Sequence, residues 1–173
     1  MKPDDLDGRI GEGWSGELPN GSHINVVIAL RGSPTAASIV GALAAPRPGH
    51  MPFLAVAESG ALVRPVTVVV NKVTLVNDLL ERMTWGAGQV GIAQGVLDAV
   101  ADELIDPTLA GSLVLLVAIW LDPKVDDETA VRMATRAATR AAIEDALTDH
   151  SADFVRAVAD RREHASSRFY TGK

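Results

Sequence analysis

Two short segments each place a pair of polar side chains two residues apart in an apolar setting: His23 and Asn25 in HINVVIAL, and Lys72 and Thr74 in NKVT. Alternate side chains of an extended strand share a face, so each pair points one way. Where two such strands lie close, four polar groups converge on an aliphatic pocket, the usual composition of a small-ligand site. Histidine is the member whose ordinary pKa, about 6.5, suits it to give or take a proton near neutrality. A lysine can orient an anionic or carbonyl group, while amide and hydroxyl groups both donate and accept hydrogen bonds. A lone strand-end histidine is ordinarily a packing or surface residue, so the expectation rests on the conjunction.

The elements that must position these residues are legible as short β-rich runs alternating with long alanine-rich ones. Residues 9–17 (RIGEGWSGE) alternate moderately, PNGS supplies a turn, and 23–30 (HINVVIAL) is β-branched, which predicts two strands joined by a turn. TAASIVGALAA reads as a helix capped by Ser33, with Pro34 in its first turn and PRPG ending it. PFLAVA (52–57) and RPVTVVVNKVTL (64–75), separated by ESGA, predict neighbouring strands. From Val76 to Glu103 the spacing is helical, in two pieces broken at WGAG. SLVLLVAIWL (112–121), bounded by Gly111 and Asp122-Pro123, suits a central strand buried on both faces. Asp126 to Leu147 is the firmest helix, about 33 Å long at about 1.5 Å per residue. The pattern predicts an α/β fold, a single-domain mixed sheet covered by long helices, spanning 1–173 with a polar C-terminal extension at 148–173.

Composition narrows the function. With 173 residues, of which 47% are hydrophobic, the chain can bury a substantial core. It has no cysteine, which excludes disulfides, thiolate metal sites and thiol nucleophiles and fits a cytoplasmic location. A net charge of -6 argues against a nucleic-acid partner. No apolar run approaches the roughly 20 residues of a membrane span, and MKPDDLDGR is too polar for a signal peptide, so no membrane partner is expected. The histidines lack the close spacing of a zinc motif, so no metal is expected. Arg132, Arg136, Arg140 and Glu144 repeat every four residues, which reads as a solvated or intersubunit helix face. Trp14, Trp85 and Trp120 lie on separate elements and read as core residues, with Trp85 the one candidate for stacking on a ligand. His50, in a Pro/Gly loop, reads as exposed.

The order and spacing of several segments resemble the formaldehyde-activating enzyme family: HINVVIALRGSP (23–34), FLAV (53–56), NKVT (71–74), WGAGQVG (85–91), VLDAV (96–100) and the VLLV of the later strand. The likeness covers roughly residues 10–147. It implies the condensation of formaldehyde with tetrahydromethanopterin, or a related reduced pterin, to a methylene-bridged pterin and water. It also implies a homopentamer and no metal requirement. By position, the resemblance assigns His23 as the catalytic general acid and Asn25, Leu54, Lys72, Thr74 and Gln89 as ligand-contacting residues. Asn25 stands where the family ordinarily has aspartate, Val90 where a histidine follows the glutamine, and RPGH (47–50) where the family has KHGF. These departures leave two readings open: retained condensation, or a small-ligand-binding oligomer that is non-catalytic or has a different specificity.

Overall fold

The computed structural model describes residues 6–148, 151–167 and 169. Its centre is a five-stranded mixed sheet. β1 (Arg9–Ser15) and β2 (Ser22–Leu30) form the expected antiparallel hairpin, and β7 (Leu113–Leu121) takes the middle place. β7 runs antiparallel to β2 and parallel to β6 (Val66–Asn71), and β3 (Phe53–Leu54) closes the far edge antiparallel to β6. The predicted 52–57 strand is in fact two pieces. Val56–Glu58 (β4) leaves the main sheet to pair with Ala61–Leu62 (β5) in a separate small hairpin.

Alternation along the strands divides the sheet into two unlike faces. Ile24, Val26, Ile28, Leu115, Val117 and Ile119 point to one face and are buried beneath α3 (Gln89–Ala101) and α4 (Glu128–Leu147). Among the described residues the helical cover of the other face lies at one end, where α1 (Pro34–Leu43) sets Ala36 and Ile39 against Ala29, Val68 and Val114. β7 is therefore central but buried fully on one face only, since Leu116, Ala118 and Trp120 on the other are partly open. The end without a helix above it among the described residues carries His23 and Asn25.

Small residues let α4 lie very close to its neighbours. β1 puts Gly11 and Gly13 toward it, where a Cβ would overlap the carbonyl oxygens of Ala142 and Ala138. Gly91 and Gly95 of α3 play the same part, a Cβ there falling 2.5 Å from the Arg132 oxygen and 2.6 Å from the Arg136 oxygen. Arg132 donates to Gln94, Arg136 to Asp98 and Arg140 to Asp102, each pair 38 residues apart. A constant difference in number means that the two helices run parallel. The arginine stripe is thus the polar seam between α3 and α4 within one chain, exposed along its outer edge, rather than a free face.

WGAG does not break the helix. α2 (Asp78–Met83) passes through a π-helical turn, Thr84–Gly88, into α3, with the Thr84 hydroxyl donating to the Leu80 carbonyl at 2.8 Å. The wider turn absorbs the glycines without loss of continuity. α5 (Ala152–Asp160) lies in the C-terminal extension and buries none of its residues. Among the described residues no helix is long and apolar enough to cross a membrane.

Candidate functional site

At the end of the sheet away from α1, β2 presents His23 and Asn25 on one face, as their spacing predicts. Lys72 stands just beyond the end of β6, its backbone N–H still bonded to the Ile119 carbonyl of β7 at 2.8 Å. Because β7 lies between, the β2 and β6 backbones are about 10 Å apart, a gap that only long side chains bridge. The lysine stem does so. Its Nζ lies 3.1 Å from His23 Nδ1 and donates to Asn25 Oδ1 at 2.7 Å. From the opposite side Glu12 of β1 brings Oε1 to 2.9 Å from His23 Nε2. Imidazole, ammonium, amide and carboxylate therefore form one connected cluster drawn from three elements.

The hydrogen-bonding roles follow from what each group can do. A charged lysine only donates, so Nδ1 accepts, and a neutral imidazole then carries its proton on Nε2 and donates to Glu12. Burial lowers the pKa of His23, the Lys72 ammonium lowers it further, and Glu12 opposes both through its charge and its hydrogen bond. Burial also brings Lys72 down to about 8, again with Glu12 opposing. Lys72 is thereby brought toward the neutral range, and His23 is held below the ordinary imidazole value, a perturbed pair of the kind that proton-transfer sites use.

Glu12 is the member that sequence reasoning missed. Its signal lay in RIGEGWS, where Glu12 and Trp14 alternate with glycines. A hairpin turning about Leu18 and Pro19 places Glu12 opposite Asn25 and Trp14 opposite His23, which is the observed register. The tryptophans also depart from expectation. Trp14 and Trp120 are half-buried on the open face, and the Trp14 ring lies 5.7 Å from that of His23.

Thr74 does not join the cluster. β6 ends at Asn71, whose amide donates to the carbonyls of Gly49, at 2.7 Å, and Val73, and so bends the chain. Lys72 and Thr74 therefore no longer alternate as strand neighbours. Thr74 instead bonds His50 Nε2 at 3.0 Å, while His50 Nδ1 lies 3.0 Å from the Asn71 carbonyl. His50 is half-buried in this loop contact rather than exposed, and no contact joins it to His23 among the described residues. Leu54 and Gln89 lie together near the β3 edge, lining a pocket of about 400 Å³ with Phe53, Val56 and Trp85; Gln89 Nε2 donates to the Val56 carbonyl at 3.1 Å. The six predicted positions thus fall into three groups within one chain. Among the described residues no group of three or more histidines or carboxylates is placed to hold a metal ion.

A mixed sheet presenting a histidine–lysine–carboxylate cluster on a half-covered face makes this an α/β protein with an acid–base cluster as its candidate site. The chain belongs to the formaldehyde-activating enzyme family, whose model matches residues 10–167. It is 34% identical over 126 residues to 5,6,7,8-tetrahydromethanopterin hydro-lyase from Methanosarcina barkeri, covering 73% of this chain and 71% of that protein. It is 30% identical to the bifunctional enzyme Fae/Hps of Methanothrix thermoacetophila, covering 70% of this chain and 31% of that one. The Methanospirillum hungatei Fae/Hps is 31% identical, with 68% and 30% covered. The chain therefore spans just under a third of these bifunctional relatives.

Proposed function

We propose that this chain condenses formaldehyde with a reduced pterin of the tetrahydromethanopterin type, giving the methylene-bridged pterin and water. The carrying observation is the His23–Lys72 contact, Nδ1 to Nζ at 3.1 Å, at the open end of the sheet. One pterin N–H adds across the formaldehyde carbonyl to give N–CH2–OH. The hydroxyl then takes a proton and leaves as water. The second pterin nitrogen attacks the resulting iminium carbon and releases its own proton, so two N–H bonds and one carbonyl become one N–CH2–N bridge and one water.

Hydroxide is a poor leaving group, and its protonation is the step a positioned acid accelerates, typically by 10²- to 10⁴-fold. His23 is the acid in this reading, and Lys72 on Nδ1 is its proton reservoir. When the substrate hydroxyl takes the place of Glu12 at Nε2, the ring passes its Nε2 proton to that hydroxyl as Nδ1 takes one from the ammonium 3.1 Å behind it. Glu12 holds the ring in orientation, and Asn25 anchors Nζ. Leu54, Thr74 and Gln89 would contact the rest of the pterin. Because they lie apart from His23 in one chain, the reading includes an oligomer, a homopentamer, in which neighbouring copies bring the groups together. The chain would act as one domain over 1–173, in the cytoplasm, and this acid–base chemistry calls on no metal.

The test is a formaldehyde-dependent rate with tetrahydromethanopterin and, separately, tetrahydrofolate, comparing the native chain with His23→Ala. The reading requires acceleration over the uncatalysed condensation with at least one acceptor and its loss in the variant. A native rate equal to background with both acceptors defeats it.

A further inference from the structure

His23 has a tryptophan opposite it on each neighbouring strand, Trp14 on β1 and Trp120 on β7. The rings run in the order His23, Trp14, Trp120 on the open face. The Trp14 centroid lies 5.6 Å from that of Trp120, with the planes 33° apart, and 5.7 Å from His23, with the planes 36° apart. The indoles form a gently tilted shelf that begins at the imidazole. Trp14 Nε1 donates to the Gly16 carbonyl at 3.1 Å, which fixes that ring with its N–H satisfied. A chain with only 4% aromatic residues has placed two of its three tryptophans beside its acid–base cluster.

The shelf already receives a ring from the same chain. Phe169, from the C-terminal segment, stands edge-on to both indoles, 5.7 Å from Trp14 at 74° and 5.1 Å from Trp120 at 66°. These separations and angles are those of favourable edge-to-face pairs. Phe169 nevertheless remains 55% exposed, so its seat on the indoles is shallow. An exposed intramolecular ring seated on two indoles is one that another flat ring can replace.

We propose that Trp14 and Trp120 are the seat for the flat pyrimidine half of the reduced pterin, and that Phe169 competes with the ligand for it. This rests on the pterin reading above and adds to it the residues that select a planar heterocycle. A ring lying on the shelf is delivered edge-first to His23, where the departing hydroxyl needs its proton. Trp14 and Trp120 are positioning and specificity residues in this scheme, and Phe169 is a removable cap.

The experiment measures the Kd of tetrahydromethanopterin by calorimetry without formaldehyde, and KM and kcat with formaldehyde saturating. Trp14→Leu and Trp120→Leu keep bulk and lose the ring, whereas Trp14→Phe and Trp120→Phe keep a ring. The leucine variants should weaken Kd and raise KM about tenfold with kcat within about twofold, and the phenylalanine variants should restore most of the affinity. Phe169→Ala, at an exposed position, should tighten Kd about threefold and is independent of any folding defect in the strand variants. Native affinity in both leucine variants, or unchanged or weaker binding in Phe169→Ala, overturns the proposal. A native protein that binds the pterin through these indoles but shows no condensation would support the seat while defeating the reaction. A native protein that binds no pterin would end both.

Discussion

Removing the Lys72 charge should raise the pKa of His23, and the size of the rise can be worked from the cluster. The ammonium stands 3.1 Å from Nδ1, on a ring whose side chain is 29% exposed. With an effective dielectric constant of about 40 to 80 for so open a site, two unit charges at about 3 Å repel by roughly 1.4 to 2.8 kcal/mol. That corresponds to about one to two pKa units. Lys72→Met keeps the stem and deletes the charge, so His23 should titrate about one to two units higher than in the native chain. Glu12→Gln should move it the other way, because the carboxylate 2.9 Å from Nε2 favours the imidazolium. The Glu12 shift should be the smaller, since that side chain is 59% exposed and its charge is more strongly screened. The assay is an NMR titration of the imidazole Hε1 resonances, with His23 assigned by the signal missing in His23→Gln. A His23 pKa that moves by less than about 0.3 unit in Lys72→Met, or that falls, would refute the contact and the proton reservoir built on it.

Asn25→Asp should turn the 2.7 Å Lys72 contact into an ion pair, raise the Lys72 pKa above about 8, and carry the alkaline limb of the pH–rate profile upward with it. Lys72 itself should mark the stability curve. Its folded-state pKa lies below the ordinary value, so the unfolded chain binds more protons between about pH 8 and pH 10.5, and the native fold should gain stability as pH rises through that window. In urea unfolding at pH 7.5 and 10, Lys72→Met should lose that part of the rise. Gly95→Ala should destabilise by about 1–3 kcal/mol although alanine favours helix by about 1 kcal/mol, because its Cβ would fall 2.6 Å from the Arg136 carbonyl; a higher urea midpoint would contradict the close helix packing. A double-mutant cycle on Arg136 and Asp98 should show only a weak, salt-sensitive coupling, since the guanidinium side chain is 45% exposed despite its two contacts to the carboxylate; a coupling that salt leaves unchanged would contradict this.

Most of the secondary structure follows from local periodicity, which is why the β1–β2 hairpin, the central β7 and the α4 helix lie where their residue patterns place them. Periodicity failed where backbone geometry depended on a distant partner. β6 stops at Asn71 because that amide is drawn to the Gly49 and Val73 carbonyls, so the NKVT alternation that grouped Lys72 with Thr74 does not persist. WGAG looked like a helix break because two glycines ordinarily weaken a helix, yet a π-helical turn packed near Ile119 carries the chain through. The arginine stripe reads as a solvated or intersubunit face and is exposed along its outer edge, but its partners, Gln94, Asp98 and Asp102, sit on a helix of the same chain whose parallel alignment no local pattern reveals.

By itself, the sequence determined that His23 and Asn25 share a face, since side-chain alternation is a property of any extended strand. It also carried the family relationship, in an ordered series of segments. Only the tertiary structure decided which charges surround the imidazole. Lys72 reaches His23 across β7 only because β6 and β2 flank the same strand, and Glu12 reaches it only through the hairpin register. Contacts between residues 49 positions apart depend on how the sheet is ordered, and that order is set by which faces α3, α4 and α1 bury.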